Sequence, residues 1–337
     1  MMQADLPLPE APSKVPSRHL RDRLLMAGLA LLFLAGLIAL AAATGWEETV
    51  AQIARLTLWQ GALLLALSLV NYLFRGLRWH LFARRLGLPT GLAQDIRHFL
   101  GGFAMVVTPG RVGELVRMRW LKRETGWNYE RTAPLALMDR ASDLAAMAII
   151  LALSVAIAAG GMGSALPVAG LALLAAWTAT HPRLLAAIVT RIYRLTGRFP
   201  RLFARVRIAA RSLGRFTNAA TILPAIALGV TGWLAEGYAF HLLLGWMGAD
   251  IGLWKAIGIF VFATLAGGLT GAPGGVGGAE AAMIALLALD GVPMETSVPA
   301  TAIIRVTTLW FALGLGLLVF PFAERLSLRK PNALEIR

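Results

Sequence analysis

Asp139, Arg140 and Asp143 form a dense charged group inside a long apolar stretch of the sequence. On a helix, Asp139 and Asp143 share one face, because side chains four residues apart lie above one another. Two neighbouring carboxylates repel each other unless a cation or a proton intervenes. The group therefore indicates a site for a cation, a proton or an amine headgroup. A structural network, in which Arg140 or Arg305 neutralises the two acids, is an equally good explanation.

Other charged residues also fall within apolar segments, where an uncompensated charge costs about 2.5–3.5 kcal/mol on insertion scales. Arg75 and Arg78 lie near one end of their segment, and for Arg78 we favour an interpretation in which the side chain reaches the lipid headgroups. Arginines can bind phosphate, and the glutamates can balance them or bind a cation. The expected headgroup cavity is lined by Arg75, Arg111, Glu114, Asp139, Arg140, Asp143, Glu236, Glu280 and Arg305.

Two Pro-Gly elements interrupt apolar segments at corresponding places in the two halves, at 108–114 and at 272–280. A broken helix leaves N–H and C=O groups unpaired, which hydrocarbon tolerates only where these groups face protein or a watery cavity. Paired breaks point to a transport site, although small residues also allow close helix packing. The predicted backbone breaks are Pro109, Gly110, Gly113, Pro273, Gly274, Gly275, Gly277 and Gly278.

The composition is that of an integral membrane protein. Of the 337 residues, 58% are hydrophobic and 15% are charged, and the mean hydropathy is +0.68. Cysteine is absent, which excludes disulfides and thiolate chemistry. Apolar runs that approach or exceed the length of a spanning helix lie at 24–43, 58–82, 135–159, 163–180, 219–246 and 298–322.

The net charge of +14 follows the loops. Basic residues crowd both termini and alternate loops, which the positive-inside rule assigns to the cytoplasm. The loop 181–215 contains nine arginines and no acidic residue. We expect this loop to bind anionic lipids of the inner leaflet as an amphipathic helix, and not to bind nucleic acid. The expected location is a cytoplasmic (inner) membrane of the bacterial type.

The predicted fold is an all-α polytopic membrane protein with two inverted-topology repeats. Sparse identities at offsets of 161–165 residues relate the halves, and Arg75 corresponds to Glu236 at an offset of 161. Each repeat contains a re-entrant helical hairpin that is broken by Pro and Gly. The predicted segments are a cytoplasmic tail (1–23), a first transmembrane helix (24–43), repeat 1 (44–162, re-entrant segment 98–116), a connecting helix and basic loop (163–217), repeat 2 (218–325, re-entrant segment 254–289) and a second cytoplasmic tail (326–337).

The sequence gives little evidence of an enzyme. It contains neither a phosphate-binding GxxxxGK[ST] loop nor HExxH, and its five histidines are scattered. We therefore expect no catalytic residue, metal or cofactor, and we expect anionic or zwitterionic membrane lipids as partners. The sequence also allows a homo-oligomer. Two alternatives stay open, an accessory subunit that tethers a lipid-modifying enzyme or a glycosyltransferase, and a polyprenyl-phosphate glycosyltransferase with a metal at Asp139 and Asp143.

The sequence resembles the flippase-like integral membrane family, which includes the membrane domain of lysyl-phosphatidylglycerol synthase/flippase proteins. The resemblance covers about 45–325 and rests on 71–79, 108–114, 139–143, 273–280 and Arg305. It implies inverted repeats around a lipid-accessible cavity, and movement of lipids or lipid-linked molecules between leaflets. Bifunctional members add a soluble aminoacyl-transfer domain that this sequence lacks, so we expect no lysine transfer. The resemblance leaves the lipid unspecified.

Overall fold

The computed structural model describes residues 56–108, 113–158, 213–216 and 218–328, with scattered positions in 51–54 and 167–191. Throughout these residues the regular structure is helical. Several predicted features lie outside the described residues. These are the first transmembrane helix, the break residues Pro109 and Gly110, Arg111, most of 163–212, and the two terminal tails at 1–23 and 329–337.

The first half contains two long helices with two short helices between them. A capping box starts the first long helix, where the Thr57 hydroxyl accepts from the Gln60 N–H and the Gln60 side chain accepts from the Thr57 N–H. The helix ends at Gly87, whose φ of 86° is a left-handed cap. The four helices are α1 (Leu58–Leu86), α2 (Leu92–Gly101), α3 (Gly113–Thr125) and α4 (Tyr129–Ile157).

The second half has the same order of helices, α5 (Ala219–Trp246), α6 (Leu253–Leu269), α7 (Gly278–Leu289), α8 (Met294–Arg305) and α9 (Phe311–Ser327). A π-helical turn, Val306–Trp310, joins α8 and α9. Helices α5 to α8 begin 161, 161, 165 and 165 residues after α1 to α4. The order and the spacing of the helices are therefore similar in the two halves.

Four helices in the described residues are long and apolar enough to cross a membrane, namely α1, α4, α5 and the joined α8–α9 helix. They correspond to four of the predicted apolar runs. The run 135–159 begins earlier, at Tyr129, and the run 298–322 is part of a helix of 34 residues. The predicted bounds were too short because the polar first turns of these helices do not add to an apolar run.

A helix lies on each side of the first break, as predicted, but the two helices extend beyond the ends of the predicted segment 98–116. The first arm begins at Leu92 and continues as a 3-10 turn, Gly102–Met105, and the second arm runs to Thr125. The arms approach closely, because a Cβ atom on Gly113 would lie 2.5 Å from the Gly102 carbonyl oxygen. Glycine is therefore required where the arms meet.

The second break is a tight turn at Pro273–Gly275 between α6 and α7. Gly274 and Gly275 have φ angles of 64° and 67°, which side chains with a Cβ atom rarely adopt. Glu280 then caps α7, because its carboxylate accepts from the Gly277 N–H at 2.7 Å. The glycines predicted as a backbone break thus set the path of the chain.

The first hairpin is fastened at its base by Glu124, at the end of α3. The Glu124 carboxylate accepts hydrogen bonds from the Gln94 amide and, at 3.0 Å, from Arg97, both on α2. The His98 ring nitrogen lies 3.0 Å from it. Burial raises the pKa of Glu124, but the interactions with His98, Gln94 and Arg97 outweigh burial and leave the pKa below its usual value. Glu124 is therefore held in its charged form, in which it accepts the hydrogen bonds that join α2 to α3.

Helix α9 packs directly on the first hairpin. Its Glu324 carboxylate accepts from Arg119 and Arg123 of α3, each at 2.6 Å. Nearer the start of α9, a Cβ atom on Gly316 would lie 2.2 Å from the Ala104 backbone nitrogen. The backbone of the 3-10 turn thus rests on a glycine of the second half.

We expect Gly316→Ala to destabilise the protein, because the added methyl group meets backbone atoms that cannot rotate away. Overpacking of this kind costs about 1–3 kcal/mol. Gly314→Ala is the matched control, since nothing lies within 4 Å of a Cβ atom there. Thermal unfolding in detergent should show a lower Tm for Gly316→Ala, and an unchanged or higher Tm for Gly314→Ala. Equal Tm values would contradict the close packing.

Candidate binding cavity

A cavity of about 540 Å³ lies between the two halves. Its wall is formed in the first half by α1, both arms of the first hairpin and α4. In the second half it is formed by α5, α6, the second break, the π-helical turn and the adjoining ends of α7, α8 and α9. Six predicted site residues line it, Arg75, Glu114, Arg140, Asp143, Glu236 and Arg305, together with the break residues Gly113, Gly274 and Gly275.

Two other predicted site residues, Asp139 and Glu280, are not part of the cavity lining but bind arginines beside it. Asp139 is 1% exposed and accepts a hydrogen bond from Arg78. Glu280 is bonded to Arg305, whose Nε atom lies 2.6 Å from a Glu280 oxygen. The structure therefore brings together all the predicted charged residues that it describes, while Arg111 lies outside the described residues.

The densest part of the site is a network between α1 and α4. Asp143 accepts from Arg75 and from Arg78, each at 2.7 Å, and from the Trp233 indole at 3.2 Å. Arg78 also donates to Asp139 at 2.7 Å. The two aspartates of α4 are thus held together by guanidinium groups of α1.

The favoured interpretation of Arg78 was wrong. Its side chain is fully buried and does not reach a surface. Arg78 lies one turn after Arg75 on the face of α1 that contacts α4, so the two aspartates are nearer partners than any headgroup. In an apolar environment this pairing outweighs the tendency of a long side chain to reach water.

The contacts of the Asp139 and Asp143 pair are those of the structural network, and a cation, proton or amine-headgroup site at the pair stays a prediction. The acids belong to a neutralised network, to which Arg140 contributes at 3.6 Å from Asp143 and 3.8 Å from Asp139. Arg305, the other predicted neutralising residue, pairs instead with Glu280. Asp143 still lines the cavity, whereas Asp139 does not. Because their oxygens accept from guanidinium groups, this pair is poorly suited to bind a metal ion.

Arg140 and Glu114 form an ion pair across the first half, from α4 to the start of α3. Their side chains are 30% and 22% exposed, more than the other charged groups of the cavity. A second ion pair lies within the second half, where Arg305 binds Glu280 and donates to the Gly274 carbonyl oxygen at 2.9 Å. Each break is therefore adjacent to an arginine that lines the cavity.

Arg117 is a cavity residue that sequence reasoning missed. It is 2% exposed, and its guanidinium lies over the Phe99 ring, 4.2 Å from the centroid, and 5.3 Å from that of Trp79. The basic residues of 117–131 are typical of a cytoplasmic loop, but α3 continues to Thr125. The signal was the spacing of Gly113, Val116, Trp120 and Leu121, which share one face of a helix with Arg117.

The π-helical turn begins directly after Arg305. Its Thr308 carbonyl oxygen accepts a hydrogen bond from the Tyr72 hydroxyl of α1. Such turns occur often at functional sites, since they displace a carbonyl group from the helical ladder. Here the displaced region lies in the cavity wall and connects the two halves.

Comparisons with known proteins find matches to membrane proteins. A family model described as the lysylphosphatidylglycerol synthase TM region matches residues 25–316. Two curated relatives, both described as UPF0104 membrane proteins of Methanothermobacter thermautotrophicus, are 30% identical to this chain, over 90 and 106 residues. The matched stretches cover 27% and 32% of this chain, and 27% and 31% of the two relatives.

We expect Arg78→Met to destabilise the protein strongly, because it leaves the buried Asp139 carboxylate without its closest cation. Removing one partner of a buried pair costs about 3–5 kcal/mol. Arg78→Met combined with Asp139→Asn should recover part of the loss. Arg84→Met, at an exposed position of the same helix, is the control. Unfolding in a denaturing-detergent titration measures the effect, and similar midpoints for Arg78→Met and Arg84→Met would refute the network.

Proposed function

Because this chain belongs to the family of the lysylphosphatidylglycerol synthase TM region, we propose that it moves the headgroups of membrane lipids through the cavity between its halves. The observation that supports this most directly is a cavity of about 540 Å³ with charges of both signs on its wall, among helices long enough to cross a membrane. This volume is typical of small-molecule sites. The headgroup would enter the cavity while the lipid tails stay in the bilayer.

The pairing of the halves supports inverted repeats, which transporters commonly use. A Cβ atom on Gly232 of α5 would lie 3.3 Å from the Asn71 Cα atom of α1, so the two helices cross at these residues. Asn71 and Gly232 are 161 residues apart, the offset that relates Arg75 to Glu236. A crossing at equivalent residues is expected where a pseudo-two-fold axis passes between repeats. The two hairpins would then be re-entrant from opposite faces.

The paired arginines suit the phosphate of a lipid. Arg75, Arg140 and Arg305 line one cavity, and guanidinium groups bind phosphate through charge-assisted hydrogen bonds. Since no nucleotide-binding motif was found in the sequence, movement would be passive or coupled to an ion or proton gradient. Both termini would lie in the cytoplasm, in an inner membrane of the bacterial type.

The topology can be tested by labelling single cysteines, because the sequence contains no cysteine of its own. Asp290→Cys, in the loop after α7, should react with a membrane-impermeant maleimide in intact cells. Arg84→Cys, in the last turn of α1, should react only after the membrane is opened. Both positions are at least partly exposed, so a difference in labelling reports the side of the membrane and not burial of the side chain. Labelling of Arg84→Cys in intact cells would invert the proposed orientation.

Lipid movement can be measured in liposomes with fluorescent acyl-labelled lipids and a quencher added outside. The wild-type protein should move at least one anionic, zwitterionic or polyprenyl-linked lipid faster than empty vesicles. Arg140→Ala and Arg305→Ala should slow this about ten-fold or more, since a hydrogen bond to a charged group is worth about 1.5–3 kcal/mol. Lys255→Ala, outside the cavity, should match the wild type. Rates equal to those of empty vesicles for every lipid would leave an accessory role as the better explanation.

A further inference from the structure

Most acidic groups of the cavity are already paired with an arginine. Among the described residues at the cavity, four carboxylates each have a guanidinium nitrogen within 4 Å. These ion pairs join Arg75 to Asp143, Arg78 to Asp139, Arg140 to Glu114 and Arg305 to Glu280. The charges in these pairs are balanced before any ligand enters.

Glu236 differs from the other acids of the cavity. It lies in the middle of α5, is 4% exposed and lines the cavity. Among the ion pairs of the described residues, none involves Glu236. The side chain beside it is Asn71, whose amide is neutral. A buried carboxylate without a cation is costly, so this position is suited to receive a positive group.

Arg117 is the complementary group on the same wall. Arg117 forms an ion pair with Asp139, in which its Nη1 atom lies 3.8 Å from a carboxylate oxygen. Its Nη2 atom donates to the Phe99 carbonyl oxygen at 3.0 Å, but Nε and Nη1 are buried without a hydrogen bond. Aromatic rings cover the guanidinium without using these donors. In the part of the chain that the structure describes, the cavity therefore presents a weakly paired cation, Arg117, and an acid outside every ion pair, Glu236.

From these two groups, and resting on the proposed function, we infer that the cavity is selective for zwitterionic phospholipids with an amine headgroup. Glu236 binds the ammonium group, and Arg117 binds the phosphate together with the paired arginines of the same wall. The five arginines and five acids named here cancel, so a headgroup of zero net charge leaves the buried charges balanced. A singly anionic headgroup adds an uncompensated charge in a region of low dielectric constant.

Liposomes containing acyl-labelled phosphatidylethanolamine or phosphatidylglycerol with the same tails test this inference. The wild-type protein should move phosphatidylethanolamine faster. Glu236→Gln, which keeps the size and removes the charge, should slow phosphatidylethanolamine about ten-fold and leave phosphatidylglycerol unchanged or faster. Glu236→Asp should restore part of the preference. Glu295→Gln, at an exposed position of α8, controls for removal of a carboxylate.

Native mass spectrometry of the same variants measures binding separately from movement. Glu236→Gln should lose bound phosphatidylethanolamine selectively, whereas Arg117→Gln should weaken binding of both lipids. If both lipids move but Glu236→Gln keeps the wild-type ratio of rates, the ammonium site is refuted and the proposed function stands. A loss that depends on pH and affects both lipids equally would identify Glu236 as a proton site instead. If neither lipid moves or binds, this selectivity is refuted, and movement of a polyprenyl-linked lipid decides the proposed function separately.

Discussion

The pairing of α1 arginines with α4 aspartates is the interaction on which the rest of the cavity depends. A guanidinium or carboxylate buried alone costs several kcal/mol, and this penalty is recovered only when partners are held in good geometry. Arg78, at 0% exposure, meets two carboxylates at once. This fixes the rotation of α1 relative to α4. Arg75 is thereby held at the wall, and the indole of Trp233 brings α5 to the same network.

The sequence alone predicted which charges would gather, because a charged residue in an apolar segment needs a partner or a cavity. It did not predict the pairs. Arg78 was assigned to the headgroups from its position along a segment, but the direction in which it points depends on the face of α1 that α4 covers. Arg117 was missed for a related reason. A segment rich in arginine is typical of a cytoplasmic loop, and only packing against Phe99 and Trp79 shows that this one is buried.

Backbone features were easier to predict than side-chain partners. Glycine next to proline in an apolar segment has few structural explanations, and Gly274 and Gly275 indeed adopt left-handed angles. The lengths of the hairpin arms were harder to predict, because α2 and α3 have polar outer turns that an apolar run does not include. In the last turn of α3, Glu124 binds Arg97 of α2 and Arg123 binds Glu324 of α9. These partners are distant in sequence, so an apolar run does not indicate them.

A cavity of this kind must balance stability against binding. Each ion pair that is complete within the protein stabilises the fold, but its groups have less capacity to bind a headgroup. Each group without a close partner keeps that capacity, and its burial lowers the stability of the empty protein. Among the described residues, four acids at the cavity have guanidinium partners within 4 Å, whereas Glu236 takes part in no ion pair and Arg117 approaches Asp139 at 3.8 Å with two donors left without a hydrogen bond. The four ion pairs therefore maintain the cavity, whereas Glu236 and Arg117 determine which headgroup the cavity prefers.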